Sequence, residues 1–592
     1  MSMSENYDQI AATYFAVAKQ YSRDPYPSVV AACYVTAEAY SHQFVDVPEL
    51  ARFLDEIDAP EIIRSFVLDK LDDHWDDWRK LLRKFNPDEV DSFCIETWFD
   101  KDDYRTTTQS CIAKLCIDLL DVHPTDFFAD FGSGIGEILI RAFFSQLGKC
   151  MTVKEETGKP NVQSWKYLDD EYRFRGIEVN PELAAISAIK TFLCSRKKDG
   201  IRIADVFEYD PTEMYDKIFC SPPWGLRSWK MLGAKRFLSK HYPALPDEAT
   251  QCSGEWLFAL RAMTSLAENG TAVVATTNGA MFNRSDEAIR RYFLERGWIR
   301  AVISLPERCF SDTSISTALL VLGRGNKSVR FVDATAGGTS EHRLTTFSDV
   351  QIAAIVDAVS GEATEPLQAG DRSVDHILKS DAVLFPPRIL HAPRKIENGV
   401  PLRSLAKEIT RGAPLGAAER SKLTTSEPTA FRYLSVGDIQ DGRIVKNLPY
   451  LTEIPRRFLS HCVRDGDLIV TKTGKPFKAA VVRVPENTTI LFGGNLFAVS
   501  VDETKADAGF LAAFLSSEAG LEQLAARSVG SSLPTIGARE LGETTVPCPP
   551  LALQRETANA YRAKLDEIAY LKDRLDQLRD EIGSLCESKA ED

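Results

Sequence analysis

Four consecutive residues, Ser221-Pro222-Pro223-Trp224, combine groups that could bind a flat ring carrying an amino group. They follow the apolar run Ile218-Phe219-Cys220, which predicts a buried strand. The two prolines end that strand because proline cannot donate a ladder hydrogen bond, and they fix the direction of the neighbouring carbonyls. Two oriented acceptors beside an aromatic plane suit the N–H groups and the face of an aminated heterocycle. An ordinary strand terminator would also use prolines, so other strands must supply further signals.

The strands that would position this tetrapeptide each end in polar or glycine residues. Asp130, Gly132 and Gly134 lie in a strand, glycine turn and helix pattern, which several nucleotide-like ligands use. The next predicted strand ends at Glu178, which could accept hydrogen bonds from two ribose hydroxyls, and a third ends at Asp205, which could bind an adenine amino group. Parallel strands bind ligands at their carboxyl ends, so these groups are expected at one edge of a sheet.

Length and composition indicate a protein of several domains without a membrane span. A chain of 592 residues is too long for one core, and 44% hydrophobic with 26% charged residues is typical of globular proteins. No run of about 18 apolar residues occurs, so no membrane partner is expected. The N-terminus lacks the regions of a signal peptide, which predicts a cytoplasmic location. The 12 cysteines contain no Cys-x-x-Cys pair, so we expect neither disulfides nor a metal site.

The order of these motifs resembles the modification subunit of type I restriction–modification systems, a family of S-adenosylmethionine-dependent DNA methyltransferases of the amino-group class. The resemblance covers roughly residues 100 to 390 and includes the segment 301–307, followed by Phe310. It implies that S-adenosylmethionine binds at Thr107, Thr108, Asp130, Gly132, Gly134, Glu178 and Asp205. It also implies methyl transfer to adenine N6 in double-stranded DNA, the base being flipped from the duplex. The catalytic residues would be Ser221, Pro222, Pro223 and Trp224, with Trp224 stacked on the base and Phe310 against its opposite face.

Two positions depart from the family pattern. The family's aromatic-Thr-Pro segment is replaced here by Thr106-Thr107-Thr108-Gln109. Adenine-specific relatives usually carry Asn or Asp where this chain has Ser221, and Ser-Pro-Pro-aromatic is the usual form in enzymes that methylate cytosine N4. Three alternatives therefore stand beside adenine methylation: a cytosine N4 methyltransferase, a sequence-specific DNA-binding protein with an impaired catalytic site, and a methyltransferase acting on RNA or protein glutamine.

The chain after residue 390 predicts short strands and has a local excess of positive charge. Between Arg403 and Arg483 fifteen Lys or Arg stand against eight Asp or Glu, although the whole chain carries a net charge of −14. A basic region of this kind predicts nucleic-acid binding, and a solvated charged surface is the alternative. Segments 465–474 and 546–554 resemble the target-recognition domain of type I specificity subunits. The resemblance makes the following residues candidates for DNA binding: Lys472, Thr473, Gly474 and Lys475.

The sequence as a whole predicts an α/β protein with four parts. These are a helical N-terminal domain at 1–100, a Rossmann-like S-adenosylmethionine-dependent methyltransferase domain at 101–390, an α+β target-recognition domain at 391–553 and a C-terminal coiled-coil helix at 554–592. Apolar residues from Ile568 to Leu585 recur at three- and four-residue steps, which favours a coiled-coil seam over a helix folded back on its own domain.

Pairing through that helix would make a homodimer. One recognition domain reads a half-site, so a homodimer would read a two-part DNA sequence whose spacing the helices set. The sequence has no evident nuclease motif or helicase phosphate loop. A separate restriction subunit is therefore a further expected partner.

Overall fold

The chain divides into two compact units, Met1–Leu390 and His391–Asp592. The computed structural model describes residues 26–38, 44–72, 74–82, 108–146, 173–195, 197, 200–211, 213–310, 315–341, 344–361, 367–379, 381–391, 393–528 and 534–587. Of the helices in these ranges, none combines the length and the apolar character that crossing a membrane requires.

The first unit is built on a nine-stranded sheet with the strand order β11-β8-β6-β7-β5-β4-β1-β2-β3. The strands of this unit, which include the separate hairpin β9 and β10, are β1 (Phe128–Phe131), β2 (Phe174–Glu178), β3 (Ile201–Ile203), β4 (Tyr215–Cys220), β5 (Leu266–Thr277), β6 (Ile299–Ser304), β7 (Thr317–Leu322), β8 (Ser328–Asp333), β9 (Thr339–Glu341), β10 (Leu344–Thr346) and β11 (Gln368–Ser373).

Strands β1 to β5 are parallel neighbours, so their carboxyl ends lie along one edge. Strand β7 is antiparallel to both β5 and β6 and lies between them rather than at the edge of the sheet. All six residues of β7 are buried, and all four of β1 are buried as well. Strands that are buried along their whole length are expected where helices cover both faces of a sheet.

Helices of the N-terminal segment share a hydrophobic core with the sheet. Tyr34 contacts Phe192 edge to face, with ring centroids 5.7 Å apart, which joins the helix Tyr26–Glu38 to the helix Pro181–Ser195. The remaining α-helices of this unit are Val47–Glu56, Glu61–Asp72, Trp75–Leu81, Ser110–Leu120, 137–146, Ala234–His241, Asp247–Thr250, Gly254–Ser265, Glu287–Glu295, Asp349–Ser360, Val374–Lys379 and Pro386–Leu390. Trp78 is buried in the same core, whereas Trp98 lies outside the described residues.

The second unit is an α+β structure with small sheets. One four-stranded sheet has the order Ala406–Arg411, Leu496–Val501, Leu468–Thr471, Ala479–Val481, and another has the order Thr424–Thr425, Tyr450–Leu451, Phe431–Leu434, Thr489–Phe492. Two-stranded pairs join Gly399–Pro401 to Thr545–Pro547 and Ile439–Gln440 to Arg443–Ile444. The α-helices are Ala417–Leu423, Ala508–Ser516, Glu518–Ala525, Ala538–Gly542 and Leu551–Glu587.

Buried polar side chains fix the two motifs that the sequence singled out in this unit. Asp467 accepts hydrogen bonds from the Ser500 hydroxyl at 2.7 Å and from the Arg464 N–H at 2.8 Å. Gln554 donates to the Pro549 carbonyl at 2.7 Å and accepts from the Asp507 N–H at 3.0 Å. Gln554 therefore attaches the first turn of the terminal helix Leu551–Glu587 to the rest of the unit.

Candidate active site

A cavity of about 620 Å³ lies at the carboxyl ends of the parallel strands in the first unit. It brings together residues that follow four different strands: Gly132, Glu178, Asp205 and the tetrapeptide 221–224. Phe310 also lines it. Gly132, Glu178, Asp205 and the tetrapeptide were expected at one sheet edge. They lie together because β4, β1, β2 and β3 are consecutive neighbours in the sheet.

The glycine turn after β1 is held by Glu178. One carboxylate oxygen of Glu178 accepts the Gly134 N–H at 2.9 Å, and the other accepts the Asn180 N–H at 2.9 Å. Gly132, Gly134 and Gly136 all have positive φ angles, a conformation that glycine adopts without strain. A side chain at Gly136 would also approach the Ser187 hydroxyl to 2.6 Å. Glu178 thus shapes the loop as well as lining the cavity.

Asp130 is buried at the end of β1 and borders a smaller cavity beside the glycine turn. Its Oδ1 atom is inaccessible to solvent and forms no hydrogen bond with any described residue. Burial raises the pKa of this carboxyl well above its ordinary value, and the nearby Glu178 adds to the effect. The smaller cavity is lined on its other sides by Thr108, Ser133 and Ser221.

Asp130 should make the stability of the free protein depend on pH. The unfolded carboxyl loses its proton near pH 4, whereas the folded one keeps it to higher pH, so the folded state binds the extra proton between these limits. The free energy of unfolding of the wild type should therefore fall, relative to Asp130→Asn, by up to about 1.4 kcal/mol per pH unit as pH rises through this window. Urea titrations of both proteins at several pH values would measure this, and parallel pH profiles would contradict it.

The tetrapeptide Ser221-Pro222-Pro223-Trp224 follows β4 directly. Ser221 lines both cavities, and its hydroxyl forms no hydrogen bond with a described residue. The carbonyls of Ser221 and Pro222 likewise accept no hydrogen bond from the described part of the chain. Pro222 is buried and Pro223 is exposed. Oriented acceptors without a protein partner are therefore available at the point where the two cavities meet.

Trp224 and Phe310 have a different geometry from the predicted pair of opposing faces. Their rings contact each other edge to face, with centroids 4.9 Å apart and an interplanar angle of 80°. The Trp224 indole N–H donates to the Ala275 carbonyl at 3.3 Å, and Phe310 is buried and forms an isolated bridge with Thr108. A base cannot lie between the two rings in this arrangement. Phe310 instead packs directly against Trp224, and both rings line the cavity.

Asp205 is held in a turn that a buried arginine stabilises. Asp205 accepts the Phe207 N–H at 2.8 Å, and burial raises its pKa in spite of that hydrogen bond. Arg261 donates to the carbonyls of Val206 at 2.7 Å and Tyr209 at 2.6 Å. Arg261 was not predicted from the sequence, although a basic residue within the largely apolar helix Gly254–Ser265 was the available signal.

Replacing Arg261 by leucine should destabilise this turn. Two buried carbonyls would lose their donors, at about 1–3 kcal/mol each, so we expect the free energy of unfolding to fall by about 3 kcal/mol. Asp205 would also lose its fixed position in the cavity. Arg300→Leu, at an exposed position of β6, is the matched control. Denaturation midpoints of the two variants would measure the difference, and equal midpoints would show that the turn does not depend on Arg261.

The remaining predicted residues lie in three places. Thr107 is outside the described residues, whereas Thr108 is buried beside the smaller cavity. Lys472 and Lys475 lie in the second unit, Lys472 half-buried and Lys475 exposed, with Thr473 and Gly474 between them. Of the described side chains, no group of three or more His, Cys, Asp or Glu is arranged to hold a metal ion.

A cavity of about 490 Å³ lies beside Lys472 in the second unit. The Lys472 N–H donates to the Asn495 carbonyl at 2.8 Å, and Asn495 lines this cavity together with Arg411 and Arg420. Burial and the positive charge of Arg411 lower the pKa of Lys472. Sequence reasoning missed Arg411, Arg420 and Asn495, because they are distant in the sequence and only the fold brings them together.

Comparison with known proteins identifies the domain that carries the first cavity. Residues 104–398, half of the chain, match the family described as N-6 DNA Methylase. This part of the chain is an N-6 DNA methylase domain. The match includes every residue of the cavity, from the glycine turn to Phe310.

Curated relatives of the N-6 DNA methylase domain belong to restriction–modification systems. A type I restriction enzyme methylase subunit of Mycoplasma pneumoniae is 29% identical over 172 residues, which are 28% of this chain and 32% of the relative. A type II restriction enzyme and methyltransferase of Heyndrickxia coagulans is 24% identical over 233 residues, which are 38% of this chain and 32% of the relative. The chain therefore spans about a third of the length of these relatives.

Among solved structures, the chain has a fold similar to that of the type IIL restriction-modification enzyme MmeI, which was determined in complex with DNA. The TM-score is 0.54 with 11% sequence identity, over 96% of this chain and 90% of that one. At this identity the likeness concerns the fold alone.

Proposed function

We propose that the protein transfers a methyl group from S-adenosylmethionine to the N6 atom of adenine in double-stranded DNA, in a restriction–modification context. The observation that carries this proposal is one cavity lined both by Glu178 and Asp205 and by the tetrapeptide 221–224, inside an N-6 DNA methylase domain. The relatives named above support the context.

The residues of the two cavities fit S-adenosylmethionine. Asp130 has a buried oxygen without a described partner, so it can accept from the cationic amino group of the methionine part. The glycine turn brings the backbone close to the ligand, and Glu178 and Asp205 supply acceptors for the ribose hydroxyls and the adenine amino group. When bound, the cofactor supplies an electrophilic methyl group on a sulfonium. Thr108, which lines the smaller cavity, would complete this site.

The tetrapeptide would activate the acceptor nitrogen. An exocyclic amine is a poor nucleophile, because its lone pair is delocalised into the ring. The Ser221 hydroxyl and the Pro222 carbonyl each accept one N–H of the amine, which favours a pyramidal nitrogen whose lone pair faces the methyl group. Trp224 stacks on the base and sets its plane. The proton leaves after transfer, so these groups act by position and charge rather than as a general base.

The second unit would select the DNA sequence. Arg411, Arg420 and Asn495 line a concave surface, and Arg and Asn are the side chains that most often contact guanine and adenine edges. Lys472 is joined to this surface by the hydrogen bond from its N–H to the Asn495 carbonyl, and the segment Lys472, Thr473, Gly474 and Lys475 would contact phosphates.

A homodimer would form through the terminal helix. Ile568, Leu571, Leu575, Leu578 and Ile582 are all exposed along it, so their seam has no cover within the described part of the unit. Leu571→Glu combined with Leu575→Glu should convert a dimer into a monomer in light scattering, because charges oppose burial of the seam. Tyr570→Ala, exposed on the same helix, should leave the dimer intact. A wild type that is monomeric with DNA bound would contradict the pairing.

Methyl transfer to isolated substrates tests the activity. The purified protein is incubated with S-adenosylmethionine carrying a labelled methyl group and with genomic DNA, RNA or denatured protein, and the products are hydrolysed and separated. We expect label in N6-methyladenine from DNA alone. Ser221 favours a second candidate, cytosine N4, so label in N4-methylcytosine would select that reaction. Label only in RNA or in glutamine, or no label with cofactor bound, would contradict DNA methylation.

A further inference from the structure

Apolar side chains are exposed at the mouth of the larger cavity, in the segment that follows the tetrapeptide. The exposed fractions are 39% for Leu226, 59% for Trp229 and 74% for Leu232. Leu226, Lys230 and Leu232 line the cavity itself. We call residues 226–236 the rim. Single exposed apolar residues are common, but three within seven positions beside a ligand cavity indicate a contact surface.

The backbone of the rim is fixed, so the exposure of these side chains does not result from a loose loop. The Ser228 N–H donates to the Cys252 carbonyl at 3.0 Å, and the Leu226 carbonyl accepts the Gly254 N–H at 2.8 Å. The Ser228 hydroxyl donates to the Thr250 carbonyl at 2.6 Å. The rim backbone is therefore attached to the rest of the unit immediately before Trp229, whose ring is exposed.

The guanidinium of Arg227 supports the ring of Trp229. This guanidinium donates to the Ser285 hydroxyl at 2.9 Å and lies 3.6 Å from the buried carboxylate of Asp286. The same guanidinium is 5.9 Å from the centroid of the Trp229 ring, within the range of a cation–π interaction. The indole is thus positioned as an exposed aromatic plane next to the cavity.

The charge of this segment is complementary to a polyanion. Residues 221–246 contain five Lys or Arg and no Asp or Glu, in a chain whose net charge is −14. Lys230, Lys235 and Arg236 are exposed and form no ion pair with a described residue. A basic surface interleaved with an exposed aromatic ring is typical of nucleic-acid contacts.

We infer that the rim is the DNA contact that extrudes the target base: Trp229 enters the base stack and occupies the space that the extruded nucleotide leaves, while Lys230, Lys235 and Arg236 hold the flanking phosphates. This inference rests on the proposed function. Extrusion of a paired base costs a few kcal/mol, and stacking on an aromatic side chain returns about 1–3 kcal/mol. Trp224 binds the extruded base inside the cavity, and Trp229 occupies the place of that base in the duplex.

The extrusion role of Trp229 predicts a rescue that a merely structural role does not. Two short duplexes carry the sequence methylated by the wild type, one fully paired and one with an abasic site opposite the target base. On the paired duplex kcat/KM of Trp229→Ala should fall at least about tenfold, since stacking of about 1–3 kcal/mol is lost. On the second duplex it should recover to near the wild-type value, because the base is already unpaired. Equal losses on both duplexes, or no loss, would overturn the inference.

Two control variants accompany this experiment. Trp229→Phe retains an aromatic face and should keep most of the activity on the paired duplex. Val350→Ala changes an exposed apolar residue outside the rim and should behave as the wild type on both duplexes.

Duplex binding tests the basic part of the rim without requiring methyl transfer. The anisotropy of a labelled duplex of mixed sequence is measured against salt concentration for two double variants. Lys235→Glu/Arg236→Glu changes the rim, and Lys80→Glu/Lys327→Glu is a control with the same change of charge at exposed positions of the same unit. The rim variant should bind at least about tenfold more weakly, with a salt slope smaller by about two. Equal binding of both variants would overturn the inference. A wild type that binds duplexes through the rim but methylates none would instead refute the proposed function.

Discussion

Trp224→Ala should lower kcat/KM for DNA methylation by about 10- to 100-fold, because stacking of a base on an aromatic side chain contributes about 1–3 kcal/mol. Trp224 lines the cavity, contacts Phe310 edge to face and donates its indole N–H to the Ala275 carbonyl. The variant should bind S-adenosylmethionine as the wild type does, because Glu178, Asp205 and the glycine turn do not depend on the indole. Labelled methyl incorporation and calorimetric titration of the cofactor measure the two effects.

Conservative variants distinguish stacking of the base on Trp224 from packing of Trp224 against Phe310. Trp224→Phe retains a face for the base and should keep activity within about threefold of the wild type, whereas alanine does not. Phe310→Ala removes the ring that packs against Trp224 but retains the indole itself, so its loss should be smaller than that of Trp224→Ala. Full activity of Trp224→Ala would show that the base binds elsewhere.

Glu178→Ala should weaken S-adenosylmethionine binding by about 100-fold or more. The carboxylate accepts the N–H groups of Gly134 and Asn180 and lines the cavity. Hydrogen bonds to a charged group contribute about 1.5–3 kcal/mol each, and 1.4 kcal/mol corresponds to a tenfold change in affinity. The substitution removes both acceptors and leaves the glycine turn without its anchor.

Calorimetric titration of the cofactor measures this loss. Glu178→Gln retains one acceptor oxygen and should fall between the wild type and Glu178→Ala. Glu208→Ala removes an exposed carboxylate near Asp205 and should bind the cofactor normally. An unchanged affinity of Glu178→Ala would exclude the proposed position of the ribose.

Much of the first unit could be predicted from the sequence, because each signal was local. The strand ends at Asp130, Glu178, Asp205 and Ser221 each carry their own pattern, and the rule for parallel sheets unites them at one edge. The position of β7 between β5 and β6 could not be predicted in the same way. Strand order depends on which neighbours give the best burial. Five of the six residues of β7 are apolar, so its sequence suits an interior position without specifying one.

The details of the site depended on contacts across the fold. The edge-to-face contact of Trp224 with Phe310 joins residues from two different loops, and Arg261 reaches the turn after Asp205 from another helix. The sequence also does not show which apolar side chains are exposed to solvent. The sequence around Trp229 has the composition of an ordinary loop. Only the structure shows that the Trp229 ring lies outside the core, at the mouth of the cavity.

The family match supports adenine as the target, but it does not explain the serine at position 221. The N-6 DNA methylase domain supports adenine as the target, whereas the serine is the residue that the resemblance associates with cytosine. The structure gives a physical reason why serine can serve: its hydroxyl forms no hydrogen bond with a described residue, and it borders both cavities. A hydroxyl with free lone pairs can accept one N–H of an amine, as an amide oxygen would.

Single-molecule sequencing of DNA from cells that express the protein tests the central claim most directly. It reports the modified base, the sequence around it and the symmetry of the site in one measurement. The proposed function predicts N6-methyladenine at one recurring sequence with the wild type and its loss with Trp224→Ala. N4-methylcytosine at the recurring site, or no modified base in cells that contain the folded protein, would contradict the claim.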